Sequence, residues 1–425
     1  MSVDAPAKIT ILGAGPIGLE AALYARFLGY EVAIYEQGRP AESIRRWGSV
    51  PMFSPFGMNS SPLARSALSA QFADELQLPG ENELLTGAEY VERYLQPLAD
   101  SDLLADSLHC GWKAVAVGRE GLSKSDMVDE ETRRDADFIV VLQDSDGREQ
   151  IDRSDVLIDC TGLFGQAAWI GSNGVPATGE VEARPHVEFG LPDILGDERD
   201  KYAGKHTLVI GSGYSAATNV CALGQLAREA LHTQVTWITR KDNQTDASGP
   251  MRRFTDDPLS ARDCLAVKAN GLAADSEPHV THWPNAPVTG IHYDAHSDRF
   301  QVTLAGKRPG VHEYDRVIAN VGYVPNVELT RSMQIHYCYA TEGPIKLAAK
   351  LMENASSDCM AQPPGDAQLL INPEPDFYVL GAKSYGRNSQ FLIKNGLEQI
   401  RQLFTIIGDR ENLDLYRQFL PANPQ

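Results

Sequence analysis

Two short runs of residues in this chain have the types and spacing to hold a phosphate. Gly13-Ala14-Gly15-Pro16-Ile17-Gly18 follows the apolar stretch Ile9–Leu12, and Gly211-Ser212-Gly213-Tyr214-Ser215-Ala216 follows Thr207–Ile210. In such a loop the first glycine permits a tight turn and the second lets the backbone approach a pyrophosphate. The third lets helix and strand pack closely. A helix opening at the loop adds unpaired N–H groups and a partial positive charge. Eighteen residues after Gly18 stands Glu36, whose carboxylate can accept both hydroxyls of an adenosine ribose, with Gln37 beside it. The second run leads instead to Thr239-Arg240-Lys241, with no acid. Arg240 and Lys241 can pair with a 2′-phosphate that an acid would repel, so this loop reads as an NADPH site.

Each loop needs a strand before it and a helix and second strand after it, and the sequence supplies both. Leu19–Leu28 is apolar at helical spacing and Glu31–Glu36 reads as a strand; in the second copy a helix runs to about Ala230 and a strand over Gln234–Arg240. The duplication extends further. Phe138–Gln143 is a strand with a turn at Asp144–Gly147, leading to Asp155–Gly162; Arg299–Leu304 leads likewise to Asp315–Gly322. Gly162 and Gly322 thus end the last strand of each copy on the cofactor side. The Gly- and Pro-containing stretch Phe164–Lys205 crosses into the second copy. A strand at Phe377–Leu380 and a helix at Asn388–Ile407 have no partner unless the chain returns. The expected fold is α/β, with two Rossmann-like domains: an FAD-binding domain at 1–163 and 323–425, and an NADPH-binding domain at 164–322 inserted in it.

The 425 residues carry 57 acidic and 38 basic side chains, a net charge of −19 that repels nucleic acid and anionic lipid. Met1–Lys8 is short and polar, so no signal peptide is expected; no apolar run reaches the roughly 18 residues that span a bilayer, and the six cysteines lack any C-x-x-C spacing. A cytoplasmic chain without a metal site is expected, and neither Cys359 nor His186 is given a role.

Paired loops with a glutamate after the first resemble the flavoproteins with two dinucleotide-binding domains. Tyr202-Ala203-Gly204-Lys205 before the G-x-G-x-S-A loop, and Glu36 followed by Trp47, are similar to motifs of the flavin-containing monooxygenase branch. Arg45 and Arg46 replace that family's glycines, and its histidine signature is only approached at Glu182–Phe189. The resemblance implies FAD on the first copy, touched by Gly13–Gly18, Glu36, Gln37, Arg46, Trp47 and Gly162. It implies NADPH on the second, held by Gly211–Ala216, Arg240, Lys241 and Gly322. Asn59 falls where the family places an asparagine facing the flavin, and it could instead cap a helix starting at Ser60 or Ser61. Lys383, Ser384, Tyr385 and Arg387 lie between the last strand and the terminal helix. Ser384, Tyr385 and Arg387 are expected to touch FAD, and Asn59 and Lys383 to act in catalysis. No cysteine pair follows Glu36 or Ala216, which excludes a dithiol relay. Molecular oxygen is then the implied acceptor, a small molecule with a nitrogen, sulfur or carbonyl group the implied substrate, and a homodimer the implied assembly. A flavin reductase serving a quinone, metal ion or carrier protein is the alternative.

Overall fold

The computed structural model describes residues 3–241, 249–274, 277–353, 359–361 and 366–420. The chain divides into two compact units, 1–45 with 54–166 and 324–425, and 46–53 with 167–323. The breaks fall at 166/167 and 323/324, where 163/164 and 322/323 were expected, and one further segment departs from the expectation. The segment 46–53, carrying Arg46 and Trp47, groups with the second unit.

In the first unit five parallel strands lie in the order Phe377–Val379, Val156–Asp159, Lys8–Leu12, Glu31–Glu36, Leu108–Cys110. The three central strands are buried almost throughout, as strands covered on both faces must be, and hence read as continuous apolar runs. The strand after the second domain, Phe377–Val379, does pair with Val156–Asp159 of the first sheet. The helix Pro16–Phe27 buries every residue from Ile17 to Ala25, and Tyr24 stacks on Phe404 of the terminal helix at 4.9 Å. That terminal helix runs over Ile393–Ile407 and starts later than expected, because Gly386 (φ +60°) turns the chain against the Thr341 carbonyl. A three-stranded antiparallel sheet, Lys113–Arg119, Phe138–Gln143 and Glu149–Ser154, completes the unit.

The second unit repeats this plan. Val280–Trp283, Gln234–Ile238, His206–Ile210 and Arg316–Ala319 form a parallel sheet in that order. Val288–Asp294, Arg299–Leu304 and Gly310–Tyr314 form the antiparallel one. Among the described residues no helix is long and apolar enough to cross a membrane.

Candidate functional site

The first glycine loop is built by steric necessity at two positions and by none at the third. Gly13 has φ +96°, and a Cβ there would lie 2.7 Å from the Cys160 carbonyl oxygen; one on Gly18 would lie 1.9 Å from the Gly13 oxygen. Gly15 has an ordinary φ of −78°, and a Cβ there would meet nothing within 4 Å. The protein itself does not require a glycine at 15. It caps the helix Pro16–Phe27, which has Pro16 in its first turn and no side-chain cap, so its first N–H groups stay available to an anion. Ile17 packs under Gly381 and Gly396.

Glu36 is buried beside this loop. One carboxylate oxygen accepts from the Ala14 N–H and the other from the Gly38 N–H, both at 2.9 Å. These amides fix the carboxylate while leaving further lone pairs for ribose hydroxyls. Gln37 is exposed, and Gly162 (φ +70°) again faces open space. Gly15, Gly162 and Glu36 together fit the pyrophosphate and ribose of a dinucleotide.

The second loop follows the same logic with one change. Gly211 (φ +141°) could not carry a Cβ, which would sit 2.3 Å from the Asn320 oxygen, whereas Gly213 meets nothing within 4 Å. Gly213 caps the helix Tyr214–Glu229, again with no side-chain cap. Ala216 takes the place of a third glycine and is fully buried. Ser212 is exposed and Ser215 half-buried; the Tyr214 ring meets Phe53 edge-on at 5.4 Å. Gly322 (φ +87°) faces open space. Arg240 and Lys241 are exposed just beyond the end of the Gln234–Ile238 strand, Arg240 donating a 3.3 Å bond to the Ser172 carbonyl. This donor set fits NADPH. Sequence reasoning missed Trp237, whose indole N–H donates to the Gly211 carbonyl at 2.7 Å and pins the loop from beneath.

The two residues expected to act in catalysis are placed otherwise. Asn59 ends the short helix Phe56–Asn59; its amide accepts from the Ser54 hydroxyl at 2.9 Å and donates to the carbonyls of Ser54 and Pro55. The side chain is used in closing that turn. Nor does it cap the next helix, Pro62–Phe72, where Ser61 accepts from the Ala64 N–H. Lys383 is 1% exposed, its Nζ 2.5 Å from Asp159 Oδ2 and 3.1 Å from Thr161 Oγ1. Asp159 also accepts from the Thr161 N–H and hydroxyl. Lys383 therefore secures the strand end that carries Gly162, its ammonium facing Asp159.

The neighbours of Lys383 are likewise engaged. Ser384 donates to the Gly381 carbonyl and accepts from Gln399; the Tyr385 hydroxyl accepts from Asn395; Arg387 pairs with Glu342. Arg46 is exposed, and Trp47 is half-buried with an indole N–H that lacks a partner among the described residues. Among the described residues no cysteine forms a disulfide. Burial pushes the Cys160 thiol well above its ordinary range and that of Cys221 up to about 11, so both are protonated at neutral pH.

No protein-family model matches the chain. Soluble pyridine nucleotide transhydrogenases from Mycobacterium bovis and Mycobacterium tuberculosis are 29% identical over 248 residues, 57% of this chain and 45% of theirs. The chain thus spans less than half the length of these curated relatives. Among solved structures, a bacillithiol disulfide reductase from Bacillus cereus shares 16% identity, with a TM-score of 0.64 over 95% of this chain and 99% of that one. The FAD-bound cadaverine monooxygenase of Erwinia amylovora shares 15%, with a TM-score of 0.61 over 98% and 99%. An ornithine N-hydroxylase from Kutzneria, solved with reduced FAD, NADP+ and ornithine, shares 14%, with a TM-score of 0.59 over 95% and 99%. The fold is that of the FAD- and NAD(P)-binding oxidoreductases with two dinucleotide-binding domains.

Proposed function

We propose that the chain is an FAD-dependent oxidoreductase that oxidises NADPH and oxygenates a small molecule at nitrogen, sulfur or beside a carbonyl. In balance, NADPH, a proton, oxygen and substrate give NADP+, water and the oxygenated product. The observation that carries the reading is the pair of open cradles at Gly15 and Gly213, each at an uncapped helix start where the protein has no internal need of a glycine. Bound flavin would supply the two-electron chemistry. The chain's own contribution is to orient the pyrophosphates on the loop amides and the first ribose on Glu36. Arg240 would meet the 2′-phosphate. Lys383 holds Asp159, and with it the turn to Gly162. Cys160 and Cys221, half-buried with thiols held protonated, are poorly suited to a dithiol route, and the reading takes an acceptor in solution instead.

One observation favours the reductase alternative. The Asn59 amide, sought as a donor beside the flavin, is spent on Ser54 and Pro55. Turnover under labelled oxygen separates the two. With a panel of amines, sulfides and ketones, label in an organic product together with NADPH-dependent yield supports oxygenation. Label found only in peroxide across the panel, with fast quinone reduction, supports the reductase.

A further inference from the structure

At the end of the second unit's Gln234–Ile238 strand, three stretches of chain are sewn together. The Thr239 N–H donates to the Trp283 carbonyl at 3.2 Å, and the Thr239 carbonyl accepts from Ala286 at 3.0 Å. The Lys241 carbonyl accepts from Asn285 at 3.1 Å. Asn285, itself at φ +51°, accepts from the Lys307 N–H at 2.8 Å, and Pro287 accepts from Ala305 at 3.0 Å. The turn between Arg299–Leu304 and Gly310–Tyr314 is thereby seated on the loop after Val280–Trp283. A Cβ on Gly306 would lie 2.1 Å from the Asn285 oxygen, so the turn fits there only as glycine. Lys241 and Lys307 are each one backbone hydrogen bond from the same residue.

The same turn carries Arg308, whose guanidinium lies over the Trp283 ring at 5.2 Å; the His312 ring flanks that indole at 5.1 Å. Arg240, Lys241, Lys307 and Arg308 are all exposed. Arg240, Lys241 and Arg308 form no ion pair with a carboxylate among the described residues, in a chain of net charge −19. The charges of Arg240, Lys241 and Arg308 repel one another unless an anion joins them, and a phosphate monoester near neutral pH carries about −1.5 to −2. A guanidinium already resting on an indole loses less freedom on meeting it.

We infer that Lys307 and Arg308 complete the binding site for the 2′-phosphate of NADPH, closing on it from the hairpin turn opposite Arg240 and Lys241. This rests on the NADPH reading above. The sequence places these residues more than sixty positions after Arg240, and the lacing through Trp283 and Asn285–Pro287 brings them to it.

The test is calorimetric titration of the full chain, as purified with its flavin, with 2′,5′-ADP and with 5′-AMP. The preference for 2′,5′-ADP reads the 2′-phosphate contact alone. Lys307→Gln and Arg308→Ala should each lower that preference about three- to tenfold, and Arg240→Ala at least about tenfold. Arg308→Lys should restore most of what Arg308→Ala loses. Thermal unfolding of each variant reports whether it is folded, and Lys307→Gln, which leaves the Trp283 packing intact, keeps the test valid should Arg308→Ala fail. If both turn variants keep the wild-type preference while Arg240→Ala loses it, the turn is not part of the site and the NADPH reading survives. If the wild type binds the two nucleotides equally, the NADPH reading falls and takes this inference with it.

Discussion

Glu20 lies on the first cofactor-loop helix, fully buried, with its Oε1 lacking any hydrogen-bond partner among the described residues. Burial pushes its carboxyl up to about 7, against an ordinary 4.5; the Ser61 and Tyr416 hydroxyls and the charge of Arg65 pull it partly back. The tyrosines that face it do not titrate between about pH 5 and 9. Tyr24 is raised to about 12, and Tyr90, Tyr94 and Tyr416 are raised well above their ordinary value, each chiefly by burial. The folded chain therefore retains a proton that the unfolded chain releases from about pH 4.5 upward. Stability from this group is intact below that pH and declines as the pH rises through about 7. A displacement of about 2.5 units corresponds to about 3 kcal/mol by the alkaline end. Glu20→Gln keeps the shape and removes the titration. Denaturant unfolding of both proteins from about pH 5 to about pH 8.5 should show the variant gaining on the wild type by about 2.5 kcal/mol across that range. His206, lowered by burial, gives an opposite slope at acid pH, but it is common to both proteins and cancels in the difference. Parallel curves for the two would refute the assignment of a neutral, desolvated carboxyl at Glu20.

Three further outcomes follow from the geometry. Gly15→Val should fold normally, since its Cβ meets nothing, yet be isolated without flavin; a yellow variant of normal flavin content would end the assignment of the first cradle. Lys383→Met leaves Asp159 buried and unpaired and should lose about 3–5 kcal/mol in denaturant unfolding. Adding Asp159→Asn should recover much of this, and a single-variant loss below about 1 kcal/mol would contradict a buried pair. Arg240→Ala should raise the KM for NADPH about thirtyfold, on the order of 2 kcal/mol, and leave that for NADH nearly unchanged; equal losses for both would make Arg240 structural.

What the sequence disclosed and what it hid divide along physical lines. Gly13, Gly18 and Gly211 stand where a side chain would strike a nearby carbonyl oxygen, and that local demand gives the glycine spacing its meaning. The paired βαβ plan was equally plain, because parallel strands buried on both faces leave unbroken apolar runs. The contacts of Asn59 and Lys383 were not legible because their partners cannot be inferred from their neighbours. Asp159 lies 224 positions from Lys383, and the Asn59 amide bonds backbone carbonyls whose direction depends on a turn that composition does not specify. The late start of the terminal helix has a similar origin, since the bend at Gly386 is set by Thr341, a residue far back in the chain. Nothing in the composition of 46–53 marks it as part of the second unit.

The stretch expected to cross between the two copies contains little regular structure, and its order comes from one buried acid. Glu180 has no exposed surface; its carboxylate accepts the N–H groups of Ile170, Gly171 and Ala177 and pairs with Arg184. Three amides on a chain segment without helix or strand are thus removed from solvent by a single side chain. Hydrogen–deuterium exchange at those three amides should be as slow as in a strand, and should accelerate together when Glu180 is replaced, so that an irregular segment behaves as one cooperative unit of opening.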